Sequence, residues 1–191
     1  MKEIEQYISN YFGFSGHELT DVSQQFTLQT VERNSYLLKI GQYAKSLSIV
    51  QSGFLRLYAY NVAGDKEVTQ WIAAPGMFVT DLSSLIFDAP ARWHIQALTH
   101  CELFTITKER YRNLGQIAAN WAEVEKLFLA KCFVTIENRV FSQLSMTAEQ
   151  KVRQLFDMNP ELFNLVPLQY IASMLGMTPE TLSRIRKNLT S

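Results

Sequence analysis

Apolar residues recur at Ile4, Tyr7, Ile8 and Tyr11, the i, i+3, i+4, i+7 spacing of an amphipathic helix over residues 2–12. A second short helix is expected to begin near Ser15 and run through Leu19 and Val22. From about Phe26 to Ile106 the period changes. Short apolar runs are punctuated by Gly41, Gly53, Gly64 and Pro75-Gly76, the signature of strands joined by turns. Leu55, Leu57 and Ala59 alternate with Phe54, Arg56, Tyr58 and Tyr60, the segment Ala63-Gly64-Asp65-Lys66 reads as a turn, and Glu67 to Ala73 returns, which predicts a hairpin. Residues 92–98 and 101–106 predict a further strand pair. Many short strands at this spacing point to a small β-barrel or jelly roll.

After Thr107 the pattern is helical. Between Asn120 and Thr147 there is no Gly or Pro, and Leu129, Phe133, Ile136, Val140 and Leu144 repeat at helical spacing. Leu127, Val134 and Phe141 form a second stripe on another face. A helix apolar on two faces must be covered on two sides. One side can pack on the barrel, and the other calls for a partner helix, most simply its copy in a homodimer. The alternative is burial inside a single chain. Thr147-Ala148-Glu149-Gln150 matches a capping box that opens the next helix, which Asn159-Pro160 closes. The expected class is α+β, with three parts: a double-stranded β-helix (jelly-roll) barrel over 1–118, a dimerisation helix over 119–145 and an all-α segment over 146–191.

Within that last segment, Pro167 sits where a first-turn proline would open a helix, and Leu168, Ile171, Ala172 and Leu175 form its apolar face. Gly176 stands where a tight interhelical turn needs positive φ. Thr178 suits an N-cap, Pro179 the first turn, and Glu180 the positive end of the helix dipole. Leu182 and Ile185 then face inward while Ser183, Arg184 and Lys187 face out, and Arg186 is expected to lie over the core. Two short helices joined through a glycine, the second polar and basic outside, match the helix-turn-helix that places a helix in the major groove of DNA. A purely structural αα-hairpin has the same apolar spacing. Residues 164–191 hold Arg184, Arg186 and Lys187 against Glu180, a local net charge of +2.

Composition removes several classes. The 191 residues carry 18 Lys plus Arg against 18 Asp plus Glu, so any charge-driven binding must come from a local patch. No apolar run approaches a membrane span, and no apolar stretch follows Met1-Lys2-Glu3-Ile4-Glu5 as a signal peptide requires. Cys101 and Cys132 are too few for a disulfide framework or a cluster, and His17, His94 and His100 lack metal-ligand spacing. The expectation is a cytoplasmic, soluble protein with no metal or other cofactor and no enzymatic activity. A cupin-type enzyme on the same barrel would need a cluster of His and carboxylate ligands, which His94 and His100 do not provide.

The string from Val166 to Lys187, VPLQYIASMLGMTPETLSRIRK, resembles the helix-turn-helix of CRP/FNR-superfamily transcription regulators, in the form associated with Bacteroidetes members. Ile49 to Tyr58 (IVQSGFLRLY) resembles the strand–glycine–strand element of the cyclic-nucleotide-binding barrel, Gly64-Asp65-Lys66-Glu67 its hairpin turn, and Ala97 to Leu103 its last strand. The resemblance implies a winged-helix-like C-terminal domain, with double-stranded DNA and a second copy of the chain as partners. RNA polymerase and an unidentified small-molecule effector are further candidates. It also implies that Glu180 accepts from a cytosine amino group and Arg184 contacts guanine, while Pro179 replaces the first base-reading residue. Gln169, Thr178, Ser183 and Lys187 are then phosphate contacts. With the chain ending at Ser191, any wing would lie before Val166.

Cyclic-nucleotide binders of this superfamily carry Gly-Glu after a Phe and a phosphate-binding Arg about a dozen residues on. Here Val79 and Thr80 replace Gly-Glu, and the arginine's place falls on Ala91, with Arg92 one residue later and on the opposite strand face. A buried phosphate without its arginine costs several kcal/mol, so cyclic AMP is not the expected ligand. Thr80, Asp81, Ser83, Ser84, Arg92 and His94 remain as polar candidates for an effector pocket. The rival reading is a small-molecule sensor whose helical C-terminal region is a protein-interaction module.

Overall fold

The structure, a computed structural model, describes residues 2–189. Helices α1 (Lys2–Phe12) and α2 (Gly16–Ser23) lead into eight strands: β1 (Thr27–Val31), β2 (Tyr36–Leu38), β3 (Ser46–Ser52), β4 (Leu55–Tyr60), β5 (Glu67–Ala73), β6 (Phe78–Val79), β7 (His94–Ala97) and β8 (Cys101–Thr107), with α3 (Leu82–Phe87) between β6 and β7. Helices α4 (Lys108–Arg112), α5 (Trp121–Ser145), α6 (Ala148–Met158), α7 (Leu162–Leu165), α8 (Leu168–Leu175) and α9 (Pro179–Leu189) follow.

The strands form two four-stranded sheets, β1-β8-β3-β6 and β2-β7-β4-β5, with every pairing antiparallel. This is the jelly-roll expected from the turn spacing. The β4–β5 hairpin forms as predicted, with a bulge between Leu57 and Tyr58 that leaves Gln70 unopposed. The predicted 92–98/101–106 pair is corrected: β7 pairs β2 and β4, whereas β8 pairs β1 and β3, so the chain crosses between sheets at residues 98–100. Gly53 makes the sharp entry into β4. Its φ is +86°, and a Cβ there would lie 2.3 Å from the His100 carbonyl oxygen.

Two cores result. Leu47, Ile49, Leu55, Leu57, Ile95, Leu103 and Ile106 fill the barrel and continue into Ile8, Phe12 and Phe14 and into Trp121, Val124 and Phe128 of α5. The second core joins Phe54, Ile72, Ala74 and Leu98, on the outer side of the β4–β5 sheet, to Val152, Leu162, Phe163, Ile171, Ala172, Leu182 and Ile185. The hairpin is therefore buried on both faces, so Leu55 and Arg56, neighbours on opposite sides, are both fully enclosed.

Helix α5 follows the 120–144 prediction, but its cover does not. Contact with the barrel comes through Trp121, Val124 and Phe128, with Leu129 and Cys132 partly buried. Beyond these, both named stripes face outward, with Phe133 64%, Phe141 71% and Leu144 81% exposed. Burial of this helix inside a single chain is thereby overturned. The capping box is present: Thr147 Oγ1 accepts from the Gln150 amide, and Gln150 Oε1 accepts from the Thr147 amide. Among the described residues no strand follows β8, so no β-wing accompanies α8 and α9. No helix among them is long and apolar enough to cross a membrane.

Candidate nucleic-acid interface and effector pocket

Helix α8 opens one residue later than the sequence suggests. Pro167, at ψ 128°, is its cap rather than its first helical residue. Gly176 ends it at φ +71°, and the Met177 amide returns to the Ala172 carbonyl at 3.0 Å. Thr178 Oγ1 then accepts from the Thr181 amide at 3.2 Å, capping α9. Leu182 and Ile185 are buried against α8, whereas Glu180, Arg184 and Lys187 are exposed and Ser183 is half-buried. The Glu180 carboxyl is held below its ordinary range by its own amide and the Thr178 hydroxyl. Arg186 lies over the core as expected, donating to the Phe163 carbonyl at 2.9 Å and to Asn164 Oδ1 at 3.1 Å.

This helix pair is tied to the barrel by a contact the sequence reading missed. Arg56, 1% exposed, has its guanidinium between the rings of Tyr58 at 4.1 Å and Tyr170 of α8 at 3.9 Å. Its Nη1 donates to Glu67 Oε2 at 2.7 Å and its Nε to Thr69 Oγ1 at 2.8 Å. Beside it the Thr69 amide, on the edge strand, donates to Ser173 Oγ of α8 at 3.0 Å. From α5, Arg139 and Gln143 both donate to the Met174 carbonyl at 3.5 Å, and Arg139 covers the Trp71 ring at 4.9 Å. A cleft of about 620 Å³ opens between the hairpin residues Lys66, Glu67 and Val68 and the predicted DNA contacts Gln169, Thr178 and Pro179. An Arg inside an apolar strand, with Glu and Thr on the returning strand, was the available signal.

The polar residues predicted for an effector pocket do not form one site. Thr80 donates to the Ser46 carbonyl at 2.9 Å. The buried Asp81 accepts from the Ser84 amide at 3.0 Å and the Arg92 amide at 2.8 Å, capping α3 and clamping the loop before β7. Ser84 Oγ accepts from the Ala44 amide at 2.8 Å, Ser83 is half-buried on α3, and the Arg92 side chain is exposed. His94 lies on the other side of the sheet, opposite Tyr58 with ring centroids 4.9 Å apart, and its desolvation lowers its pKa. What lines the barrel mouth instead is apolar, a cavity between Leu57, Trp71, Phe78 and α5.

Residues 28–117 match the sequence profile of the family described as the cyclic nucleotide-binding domain. The barrel is a cyclic nucleotide-binding fold. The sequence matches no curated protein. Among solved structures, FixK2 from Bradyrhizobium japonicum shares 18% identity, with 86% of this chain and 84% of that one aligned at a TM-score of 0.71. The catabolite activator protein of Thermus thermophilus shares 20% over 94% and 85% of the two chains (TM-score 0.58). The c-di-GMP-responsive global regulator CLP of Xanthomonas campestris shares 20% over 91% and 90% (TM-score 0.64). Each of these alignments extends well beyond residues 28–117 of this chain.

Proposed function

We propose that the chain is a homodimeric, sequence-specific DNA-binding transcription regulator of the CRP/FNR type, of the form associated with Bacteroidetes members, working in the cytoplasm. The observation that carries the reading is the α8–α9 pair. A left-handed Gly176 turn sets α9 with Leu182 and Ile185 inward and Glu180, Arg184 and Lys187 outward. Glu180 and Arg184 read base edges, Pro179 stands at the first base-reading position in place of the usual polar residue, and Gln169, Thr178, Ser183 and Lys187 contact the backbone and set register. The parts divide as 1–118 sensor barrel, 119–145 dimer helix and 146–191 reader. The dimer seam is formed by Leu129, Phe133, Ile136, Val140 and Leu144 of α5, whose outward apolar residues support a second copy as their cover. As an activator the dimer would contact RNA polymerase.

The barrel has lost the means to hold a cyclic phosphate. Val79 and Thr80 stand in place of Gly-Glu, and Ala91 is buried where the arginine is required. Selection of bound duplexes from a random pool at fixed near-physiological salt tests the DNA reading, with enrichment of a two-fold-symmetric motif expected. Arg184→Ala should then lose roughly 1–3 kcal/mol on that motif and relax specificity at one position per half-site. A pool without any enriched motif, with or without cell extract, would favour the protein-interaction reading instead.

A further inference from the structure

The cavity at the barrel mouth has a volume of about 300 Å³ and lies between β4–β5, β6, α3 and the outer half of α5. Leu57, Trp71, Phe78, Phe128 and Ile136 give it apolar and largely aromatic walls. Three of its polar wall groups, Thr80, Thr135 and Lys131, are committed to backbone carbonyls. Burial raises the Tyr11 pKa, so its hydroxyl is neutral at physiological pH. Thr80 donates to the Ser46 carbonyl, and Thr135 donates to the Lys131 carbonyl at 2.8 Å. Lys131, the sole charged residue of the wall, donates to the Tyr11 carbonyl at 3.2 Å, where the last turn of α1 leaves an acceptor without a helical partner. Burial pushes the Cys132 thiol up to about 11, so it is neutral at physiological pH. The half-buried Gln70 amide, on the β5 bulge, offers both a donor and an acceptor to the cavity.

A site with largely apolar and aromatic walls, whose one cation already donates to a backbone carbonyl, repays little of the desolvation of a phosphate and selects against it. A dry apolar cavity of about 150 Å³ holds one benzene ring, so roughly twice that volume suits two fused rings. We propose that this cavity binds an uncharged bicyclic aromatic molecule, held among Trp71, Phe78 and Phe128 with one hydrogen bond to the Gln70 amide. This deepens the sensor part of the reading above and is independent of the DNA part, because binding is measured on the protein alone.

The test is calorimetric titration of the full chain, without DNA, with 2-naphthol, its anionic counterpart 2-naphthoate, and cyclic AMP. The expected result is saturable 2-naphthol binding at one site per chain, at least tenfold tighter than 2-naphthoate, with no cyclic AMP binding. Thr135→Trp, on the solvent-facing wall, should weaken 2-naphthol at least tenfold, and Leu82→Trp on α3 gives a second cavity-filling variant. Gln70→Ala should weaken it about three- to tenfold. Equal or tighter binding of 2-naphthoate would assign the cavity to an anion held by Lys131 and overturn the proposal. So would cyclic AMP binding, absence of 2-naphthol binding, or undiminished binding in both tryptophan variants. If 2-naphthol binds but leaves DNA affinity unchanged, the site stands and only its role as a sensor fails.

Discussion

Replacing Arg56 by Ala removes four contacts at once: the faces of Tyr58 and Tyr170, the Thr69 hydroxyl and the Glu67 carboxylate. Each desolvated cation–π face is worth about 1–2 kcal/mol, and the Thr69 bond about 1 kcal/mol. Against this, the enclosed guanidinium bears a desolvation cost of several kcal/mol that alanine does not. The single variant mixes these effects with a cavity, so its total measures no one contact. A double-mutant cycle of Arg56→Ala with Tyr170→Ala isolates the face that ties β4 to α8. We expect a coupling of about 1–2 kcal/mol in urea unfolding followed by far-ultraviolet circular dichroism, with m shared among the four proteins. The companion cycle with Tyr58→Ala should give a similar value within the sheet. An Arg56–Tyr170 coupling below about 0.3 kcal/mol would refute the reasoning, because this cation–π face would then contribute nothing to holding the helix pair on the barrel.

Gly53→Ala should destabilise the fold by more than the about 1–2 kcal/mol cost of a left-handed residue, since its Cβ would also meet the His100 carbonyl at 2.3 Å; thermal unfolding checks this. At Gly176 the only nearby group is Gln143 Oε1 at 3.7 Å, so Gly176→Ala should cost about 1–2 kcal/mol and Gly176→Asn clearly less in the same urea assay. Desolvation lowers the His94 pKa, so the unfolded chain takes up its proton first. Stability should therefore fall as pH drops through the ordinary histidine value of about 6.5, and His94→Gln should flatten that slope between about pH 7.5 and 5.5. Phe133→Glu on the exposed α5 face should convert the proposed dimer to monomer in light scattering, with circular dichroism unchanged.

Local chemistry made much of this fold legible. The 2–12 stripe, the capping box at Thr147 and the Gly176–Thr178 turn are written in short-range rules, and each forms where its residues place it. What escaped was non-local. Strands β7 and β8 are close in sequence and look like a hairpin, yet residues 98–100 carry the chain from one sheet to the other. Arg56 alternates properly for an outward position, but its burial depends on α8 arriving more than a hundred residues later. Asp81, Ser84 and Thr80 read as ligand groups because polarity in a predicted pocket has two meanings. Here each is matched to a backbone partner, and only the bonding pattern separates the two cases.

In the proposed regulator one helix touches both ends of the signal. Cys132, Thr135 and Ile136 of α5 line the cavity, and Arg139 and Gln143 of the same helix hold the Met174 carbonyl at the end of α8. Those positions span 12 residues, about 16 Å of helix, too short for the two contacts to move independently. Arg139 also covers Trp71, itself a cavity wall, so a molecule seated against that ring bears on the support of α8 through one side chain. The opposing holds are Arg56 against Tyr170 and Thr69 to Ser173, which fix α8 to β4 and β5 from the barrel side. Ligand binding redistributes the helix pair only if the cavity differs between two arrangements of these holds, because equal affinity for both shifts neither. Weakening the Arg56–Tyr170 contact should therefore change DNA affinity even without ligand, whereas filling the cavity at Thr135 should change only the response to ligand.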